Sequence, residues 1–160
     1  MVKKRTLAFA TLAISVWAAL ATSVLGYYYL RFQEYVNLSR EYEAVTMKVD
    51  IYIHYGNETN GIWHNNTIVP LGAALLNATG LVADSQFTYW SELGAAFIDS
   101  LDGVANNVTK GKSWFWWYWD TTSSKWILGE VGANQRMLHR RDIVAWTYQS
   151  YEIWPPPPPS

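Results

Sequence analysis

Six aromatic residues follow one another in the stretch Ser113-Trp114-Phe115-Trp116-Trp117-Tyr118-Trp119, and this run predicts the central strand of the fold. Aromatic residues favour strands, and successive side chains of a strand point to opposite faces of the sheet. One predicted face carries Trp114, Trp116 and Tyr118, and the other carries Phe115, Trp117 and Trp119. A small two-layer domain covers one face of its sheet with a core. We therefore expect the second face to pack under another segment of the chain or to bind something flat, such as a sugar ring, a planar cofactor or an apolar protein patch.

Further strands flank this stretch on both sides. Apolar residues recur at every second position from Val49 to Tyr55, which predicts a strand. Residues 56–61 are rich in Asn and Gly and predict a hairpin loop that leads to a second strand over 62–69. The other predicted elements are a helix over 71–80 after Pro70, a strand over 98–104 with an Asp102-Gly103 turn, a polar turn over 120–125, and strands over 126–128 and 142–148.

Residues 6–30 form a run of 25 uncharged positions, which predicts a transmembrane helix. A helix of this length reaches about 37 Å, and the hydrocarbon core of a bilayer is about 30 Å thick. A basic cluster at residues 3–5 precedes the run, and three tyrosines at 27–29 end it. By the positive-inside rule the basic cluster stays in the cytoplasm. The expectation is a signal-anchor in the cell membrane, with the lipid bilayer as a partner, a cytoplasmic N-terminus and an extracytoplasmic domain.

The N-terminal run leaves two alternatives open. A cleaved signal peptide is one, because Val24-Leu25-Gly26 offers small residues at about the right place. Pilin-like processing, in which the helix becomes a filament core, is the other. Apolar spacings of three, four and seven over residues 31–47 predict an amphipathic stalk helix. The predicted organisation is a stub and anchor over 1–30, the stalk over 31–47, a domain over 48–150 and a proline-rich tail over 151–160.

Five sites fit the Asn-x-Ser/Thr acceptor pattern for N-glycosylation, which is more than the composition predicts by chance. The five acceptor residues are Asn37, Asn57, Asn65, Asn77 and Asn107. All lie beyond the predicted membrane segment, so N-linked glycans on an exterior face are expected. Many such sites without a single cysteine suit an archaeal cell surface better than a eukaryotic secretory product.

Charge and residue content exclude several classes of function. The chain has 12 basic and 13 acidic residues, so no basic stripe is available for nucleic acid. The absence of cysteine excludes disulfides and thiolate metal sites. His54, His64 and Asp50 could form a metal site, but ordinary surface histidines explain them better. No serine-nucleophile signature or Gly-rich phosphate loop occurs, and Asp99 and Asp102 suit a turn. We therefore expect neither an enzyme nor a bound cofactor.

Four landmarks stand in order along residues 48–150. They are the strand that starts at Val49, the stretch Pro70-Leu71-Gly72-Ala73-Ala74-Leu75-Leu76, the stretch Ile98-Asp99-Ser100-Leu101-Asp102-Gly103-Val104, and Gly111-Lys112-Ser113-Trp114 leading into the strand over 142–148. This order resembles the transcobalamin-like C-terminal domain, a family of unknown function related to the soluble-ligand-binding β-grasp group. The resemblance implies an α+β fold class, with a small β-grasp-like domain after the N-terminal helix.

Departures from the family's pattern limit what the resemblance implies about a ligand. Residues 120–125 stand in place of the family's Asn-Gly turn, and Arg141-Asp142 stands in place of its Gly-Asp pair. Cobalamin binding in the eukaryotic relatives also needs a helical domain that this chain lacks. The resemblance therefore implies the fold more firmly than the ligand.

The expected function is that of a membrane-anchored, extracytoplasmic binding or interaction module that uses the aromatic face. The expected binding residues are Phe115, Trp117, Trp119, Trp126 and Trp154, with residues 154–159 as a second docking element. Its expected partner is an envelope protein, a membrane protein or a surface glycan. Two alternatives remain open: a structural subunit of a surface filament or sheath that self-associates, and a capture domain for a corrinoid-like small ligand.

Overall fold

The computed structural model of the chain describes residues 2–56, 61–152 and 154–159, and among the side chains of residues 2–13 it describes those of Phe9 and Leu12. The chain divides into two compact units, Met1–Ala44 and Val45–Ser160. The predicted boundary between stalk and domain lies a few residues further along the chain. The predicted domain organisation stays a prediction.

One helix, α1 (Val2–Val45), makes up the first unit. Alanine and leucine are frequent in it, and both are strong helix formers. The helix ends where Thr46, a β-branched residue that favours strands, begins the first strand. The predicted anchor and the predicted stalk are therefore parts of one continuous helix.

The prediction of a membrane anchor is wrong. Across the residues that the structure describes, α1 contains no stretch that is both long enough and apolar enough to cross a bilayer. The run is uncharged, but much of it is only weakly apolar, because alanine, serine, threonine, glycine and tyrosine fill many of its positions. Thr22 and Ser23, for example, carry hydroxyls that donate to the carbonyls of Ala18 and Ala19, both at 2.8 Å. The predicted single-pass localisation, with a cytoplasmic N-terminus and an extracytoplasmic domain, rested on this anchor and falls with it.

Eight strands occur in the described part of the second unit. They are β1 (Thr46–His54), β2 (Ile62–Pro70), β3 (Ser85–Trp90), β4 (Ala95–Leu101), β5 (Val104–Ala105), β6 (Lys112–Asp120), β7 (Lys125–Leu128) and β8 (Ile143–Ser150). Five of them form the main sheet in the order β2-β1-β8-β6-β7, and the other three form a small sheet in the order β3-β4-β5. Strands β1 and β8 run parallel, whereas the other neighbours of the main sheet run antiparallel. The predicted α+β class agrees with this content, and the β-grasp assignment stays a prediction.

The predicted helix over 71–80 is shorter in the structure, where α2 spans only Leu75–Thr79. Gly72 adopts a φ of 73°, a left-handed conformation that a helix does not contain. Ala74 is extended and forms an isolated bridge with Met137. The chain therefore turns and pairs with a distant segment before the helix begins, and helical spacing alone could not show this.

The predicted turn at Asp102-Gly103 is confirmed. Its two residues have φ values of 47° and 80°, and they connect β4 to β5 as a two-residue hairpin loop. A hairpin turn of this type requires positive φ at both central residues, which Asp and Gly tolerate. The Asp102 carboxylate also accepts hydrogen bonds from the Tyr55 hydroxyl and from the backbone N–H of Asp84. This acid is therefore engaged in holding the turn to its neighbours.

The aromatic stretch forms β6, and its predicted alternation is confirmed. Trp114 and Trp116 belong to the main core, together with Trp146 of β8 and the buried residues of α2 and β4. Trp117 lies on the opposite face, in a smaller buried cluster with Tyr52 and Ala145. We call the face with Trp114 and Trp116 the inner face and the face with Trp117 the outer face. Both faces of this strand are thus partly covered by the chain itself.

Candidate functional site

A cavity of about 680 Å³ opens beside the inner face of β6. Strand β4 and residues 127–133 form its other walls, and Trp154 with Pro155 contributes to its rim. Ligand cavities of proteins commonly measure about 300 to 1,000 Å³ and are lined mainly by apolar and aromatic side chains. The volume and the lining therefore both suit a small molecule.

Three tryptophans of the cavity wall are held in place by their own indole N–H groups. Trp114 Nε1 donates to the carbonyl of Val104, and Trp116 Nε1 donates to the carbonyl of Val131, both at 2.8 Å. Trp146 Nε1 donates to Thr79 Oγ1 at 2.8 Å. Because each donor is already engaged, the orientations of these three rings, which are at most 8% exposed, are fixed beforehand.

Two glycines allow residues 129–133 to close the cavity wall. A Cβ atom at Gly129 would lie 1.9 Å from Cε2 of Trp116, which no side chain tolerates. A Cβ atom at Gly132 would lie 2.7 Å from the Cβ of Ala95. The backbone bonds Gly129 N to Trp116 O, at 2.8 Å, and Ala133 N to Ala96 O, at 3.1 Å, then fix the segment across both sheets.

The polar groups of the cavity are few. The Asn106 amide makes three hydrogen bonds, because Nδ2 donates to Ile98 O at 2.8 Å while Oδ1 accepts from Trp114 N at 3.0 Å and Ser113 Oγ at 3.1 Å. Among the lining residues that the structure describes, Glu130 is the one ionisable side chain, and it is exposed. The site therefore holds no cation that would attract a negatively charged ligand.

Tyr55 supports the cavity wall from behind. Its ring meets that of Trp114 edge to face, with 5.7 Å between the centroids. Burial raises the pKa of the Tyr55 phenol above its usual value, and the hydrogen bond to Asp102 raises it further. Thr88 Oγ1 donates to the Asp99 carboxylate at 2.7 Å, so both aspartates of this region hold structure together.

The five predicted binding residues fall into three places, and two of them, Phe115 and Trp154, also line the cavity. Trp119 and Trp126 form one edge-to-face pair, with 5.5 Å between their centroids, and both are half-buried. Phe115 and Trp154 form another pair at 6.3 Å. Trp117 is only 3% exposed, and its Nε1 donates to Thr147 Oγ1 at 2.9 Å. The prediction of one continuous exposed face is corrected here, because the ring of Trp117 is buried between the other two groups.

The cavity itself was not predicted from the sequence. Trp114 and Trp116 were expected to fill the core, and Phe97 and residues 129–133 were given no role. The available signal was the pair of glycines at 129 and 132, since glycine in a short connection often marks a close approach of the backbone to a large side chain. That signal does not name the side chain that is approached.

The predicted acceptor asparagines occupy different environments. Asn37, Asn65 and Asn77 are exposed, whereas Asn107 is partly buried and its side chain accepts from Lys110 N at 2.9 Å. Asn57 lies outside the described residues. In the acceptor site at 77–79, Thr79 is fully buried. Glycosylation at the five positions stays a prediction.

The predicted metal-site candidates are not brought together. Asp50 Oδ1 accepts from Asn66 N at 2.7 Å, and the His54 ring stacks on Tyr52. His64 lies opposite Ile51 in the β1–β2 pairing. Over residues 2–56, 61–152 and 154–159, no three metal-binding side chains of the His, Cys, Asp or Glu type lie close enough to hold an ion.

No family model and no curated protein matches the chain. Among solved structures 16 chains match, and one is haptocorrin in complex with Cbi, with a TM-score of 0.53 and 12% identity over 66% of this chain. The chain spans only 25% of the length of that haptocorrin structure. A protein from Ruminococcus gnavus, described as a candidate metal-binding protein, matches with a TM-score of 0.45 and 14% identity, over 65% of this chain and 97% of that one. The comparisons thus support a distant relationship in fold to a part of a transcobalamin-like protein.

Proposed function

We propose that the second unit is a ligand-binding module whose cavity takes a flat, mainly apolar small molecule without negative charge. The observation that carries the proposal is the set of three tryptophans whose N–H groups are engaged and whose rings line one cavity. Rings fixed in advance favour binding, because a ligand does not have to order them. The aromatic lining, which includes the 44% exposed Phe97, favours a planar partner.

The charge of the ligand follows from the lining. A negatively charged group would lose its hydration in this cavity, where Ser113 Oγ already donates to Asn106 Oδ1 and the one ionisable side chain of the described lining, Glu130, is itself an acid. A neutral or positively charged ring system avoids this cost. The fold shared with a part of haptocorrin, which was solved with Cbi, supports the class of a binding module. A corrinoid is therefore one ligand to test, beside a simple planar probe.

The test is a titration of the full chain with Nile red, a neutral planar dye, and with Cbi, followed by tryptophan fluorescence. We expect saturable quenching by one molecule per chain for at least one of the two probes. Phe97→Ala removes a ring from the cavity wall and should weaken binding about two- to tenfold, the value of one aromatic contact. Phe87→Ala is the matched control, because Phe87 is 49% exposed and Phe97 44% exposed, but only Phe97 lines the cavity.

Two outcomes would contradict the proposal. One is the absence of saturable quenching by both probes up to their solubility limits. The other is equal weakening by Phe97→Ala and Phe87→Ala, which would place the dye on the surface of the small sheet. Because neither variant removes a tryptophan, the fluorescence signal of the starting protein stays comparable.

A further inference from the structure

The proline-rich tail lies against its own domain. The Trp154 ring packs near Phe115 of β6, and Gln149 Nε2 of β8 donates to the carbonyl oxygen of Pro157 at 3.0 Å. Pro156 is among the fully buried residues. Phe115 and Gln149 share the outer face, because Phe115 pairs with Thr147 and Ser113 pairs with Gln149 in the β6–β8 register. The tail thus covers one end of the outer face.

Burial along the tail repeats every three residues. Pro156 is buried, Pro157 and Pro158 are exposed, and Pro159 is partly buried. A polyproline II helix has three residues per turn, so every third residue faces the same side. The spacing between Pro156 and Pro159 is the one expected of such a helix that lies with one edge against the sheet.

The surface beneath the tail has the two features that recognise a polyproline helix. Phe115 supplies an aromatic ring, and the Gln149 amide donates to a proline carbonyl. The carbonyls of a polyproline helix have no internal partner, so a side-chain donor that meets one at 3.0 Å forms a bond the helix itself cannot supply. Aromatic grooves that bind proline-rich segments work on this principle.

We propose that the outer face around Phe115 and Gln149 is a polyproline-binding surface, which the chain's own tail occupies and which accepts a proline-rich segment of a partner protein when the tail is displaced. The occupant is identified by the tail itself, since the segment seated on the surface is five consecutive prolines after a tryptophan. Trp154 remains 71% exposed, and the tail is only about 15 Å long.

The experiment measures binding of a fluorescein-labelled peptide, Trp followed by five Pro, by fluorescence anisotropy. The chain shortened to residues 1–153 retains every strand and should bind the peptide saturably. The full chain should bind at least about tenfold more weakly, because a tethered tail competes at an effective concentration on the order of millimolar. A peptide with Gly and Ser in place of the prolines should bind neither chain.

A matched pair of variants locates the surface. In the shortened chain, Gln149→Leu removes the donor to the proline carbonyl and should weaken peptide binding about two- to tenfold. Gln86→Leu changes an exposed glutamine of β3 and should leave binding unchanged. Unchanged near-ultraviolet circular dichroism of both variants verifies that the domain remains folded.

Three results would overturn the proposal. They are absence of peptide binding to the shortened chain, equal binding of the proline and Gly-Ser peptides, and an equal effect of the two glutamine variants. Light scattering on the full chain measures its oligomeric state and so tests whether the tail of a second copy occupies the surface. A dimer that disappears when the tail is removed would mean that the tail of a second copy fills the surface, in contradiction to a separate partner. The peptide outcomes test the outer face, whereas the Nile red and Cbi titrations test the cavity in the full chain, because Trp154 and Pro155 are part of the cavity wall.

Discussion

The two faces of β6 carry similar side chains but are organised in different ways. On the inner face, Trp114 and Trp116 point into the main core and each donates its indole N–H to a backbone carbonyl of a distant segment. On the outer face, Trp117 is buried in a cluster of three residues, and the other rings form pairs near the surface. The inner rings therefore stabilise the fold and line a cavity, whereas the burial of each outer ring depends on which segment of the chain packs over it.

This difference shows that aromatic content alone does not indicate a binding surface. A ring contributes to recognition when its flat side remains accessible and its orientation is fixed. The inner rings meet the second condition, because hydrogen bonds anchor them, and they line the cavity although each is at most 8% exposed. The outer rings meet the first condition only in part, and the tail already covers one end of their face.

The largest expected effect comes from removing a ring of the inner face. Trp146→Ala deletes a side chain that is 2% exposed and removes the donor to Thr79 Oγ1, which keeps its own bond to the carbonyl of Leu75. We expect the free energy of unfolding to fall by about 3–5 kcal/mol, measured by urea unfolding followed by circular dichroism. Trp119→Ala on the outer face should cost only about 1 kcal/mol. Equal losses of unfolding free energy in the two variants would mean that the inner and outer faces contribute equally to stability.

The second effect tests how closely residues 129–133 pack on the inner face. Gly129→Ala places a methyl group against the Trp116 ring and should lower the free energy of unfolding by about 1–3 kcal/mol. Gly80→Ala is the control, because its Cβ would meet its nearest neighbours at 3.7 Å and its φ is −64°. Thermal unfolding of both variants measures the difference. A stable Gly129→Ala protein with unchanged dye binding would show that the wall is not closely packed.

The third effect tests how much the hydrogen bond of Trp117 on the outer face contributes to stability. Trp117→Phe keeps a ring but removes the donor to Thr147 Oγ1, a buried hydroxyl. We expect a loss of about 1–2 kcal/mol in urea unfolding, since a buried polar group loses its partner. Adding Thr147→Val should recover part of this loss by removing the hydroxyl. If the losses in unfolding free energy from Trp117→Phe and Thr147→Val simply add in the double variant, the hydrogen bond between the two side chains does not contribute to stability.

The smallest effect is a pH dependence that originates behind the inner face. Burial, and then the hydrogen bond to Asp102, raises the pKa of Tyr55. The folded protein keeps the phenol proton that the unfolded chain releases near pH 10, so the stabilisation is complete below that pH and is lost as the pH rises above it. Urea unfolding from about pH 8 to about pH 11 should show this loss, and Tyr55→Phe should remove it. Tyr89→Phe, at an exposed tyrosine, should leave the slope as it was.

Much of the secondary structure could be predicted, because it follows from local geometry. The alternation of Trp114 to Trp119 and the Asp102-Gly103 turn depend on the period of a strand and on the φ values that two residues tolerate. Two predictions were wrong where local pattern was not enough. The helix at 75–79 is short because Ala74 pairs with Met137, and α1 is not an anchor because an uncharged run is not the same as an apolar one.

The α+β content, the strands of the main sheet and the aromatic residues that share a face of β6 follow from the local sequence pattern. Which of those rings are covered depends on contacts between segments that are distant in sequence. Trp117 is buried by β1 and β8, Trp146 is anchored by Thr79 of α2, and the cavity exists because residues 129–133 cross from one sheet to the other. The physical reason is that the direction of a side chain is set by its neighbours along the chain, whereas its burial is set by segments that are far away in sequence and meet it only in the folded state.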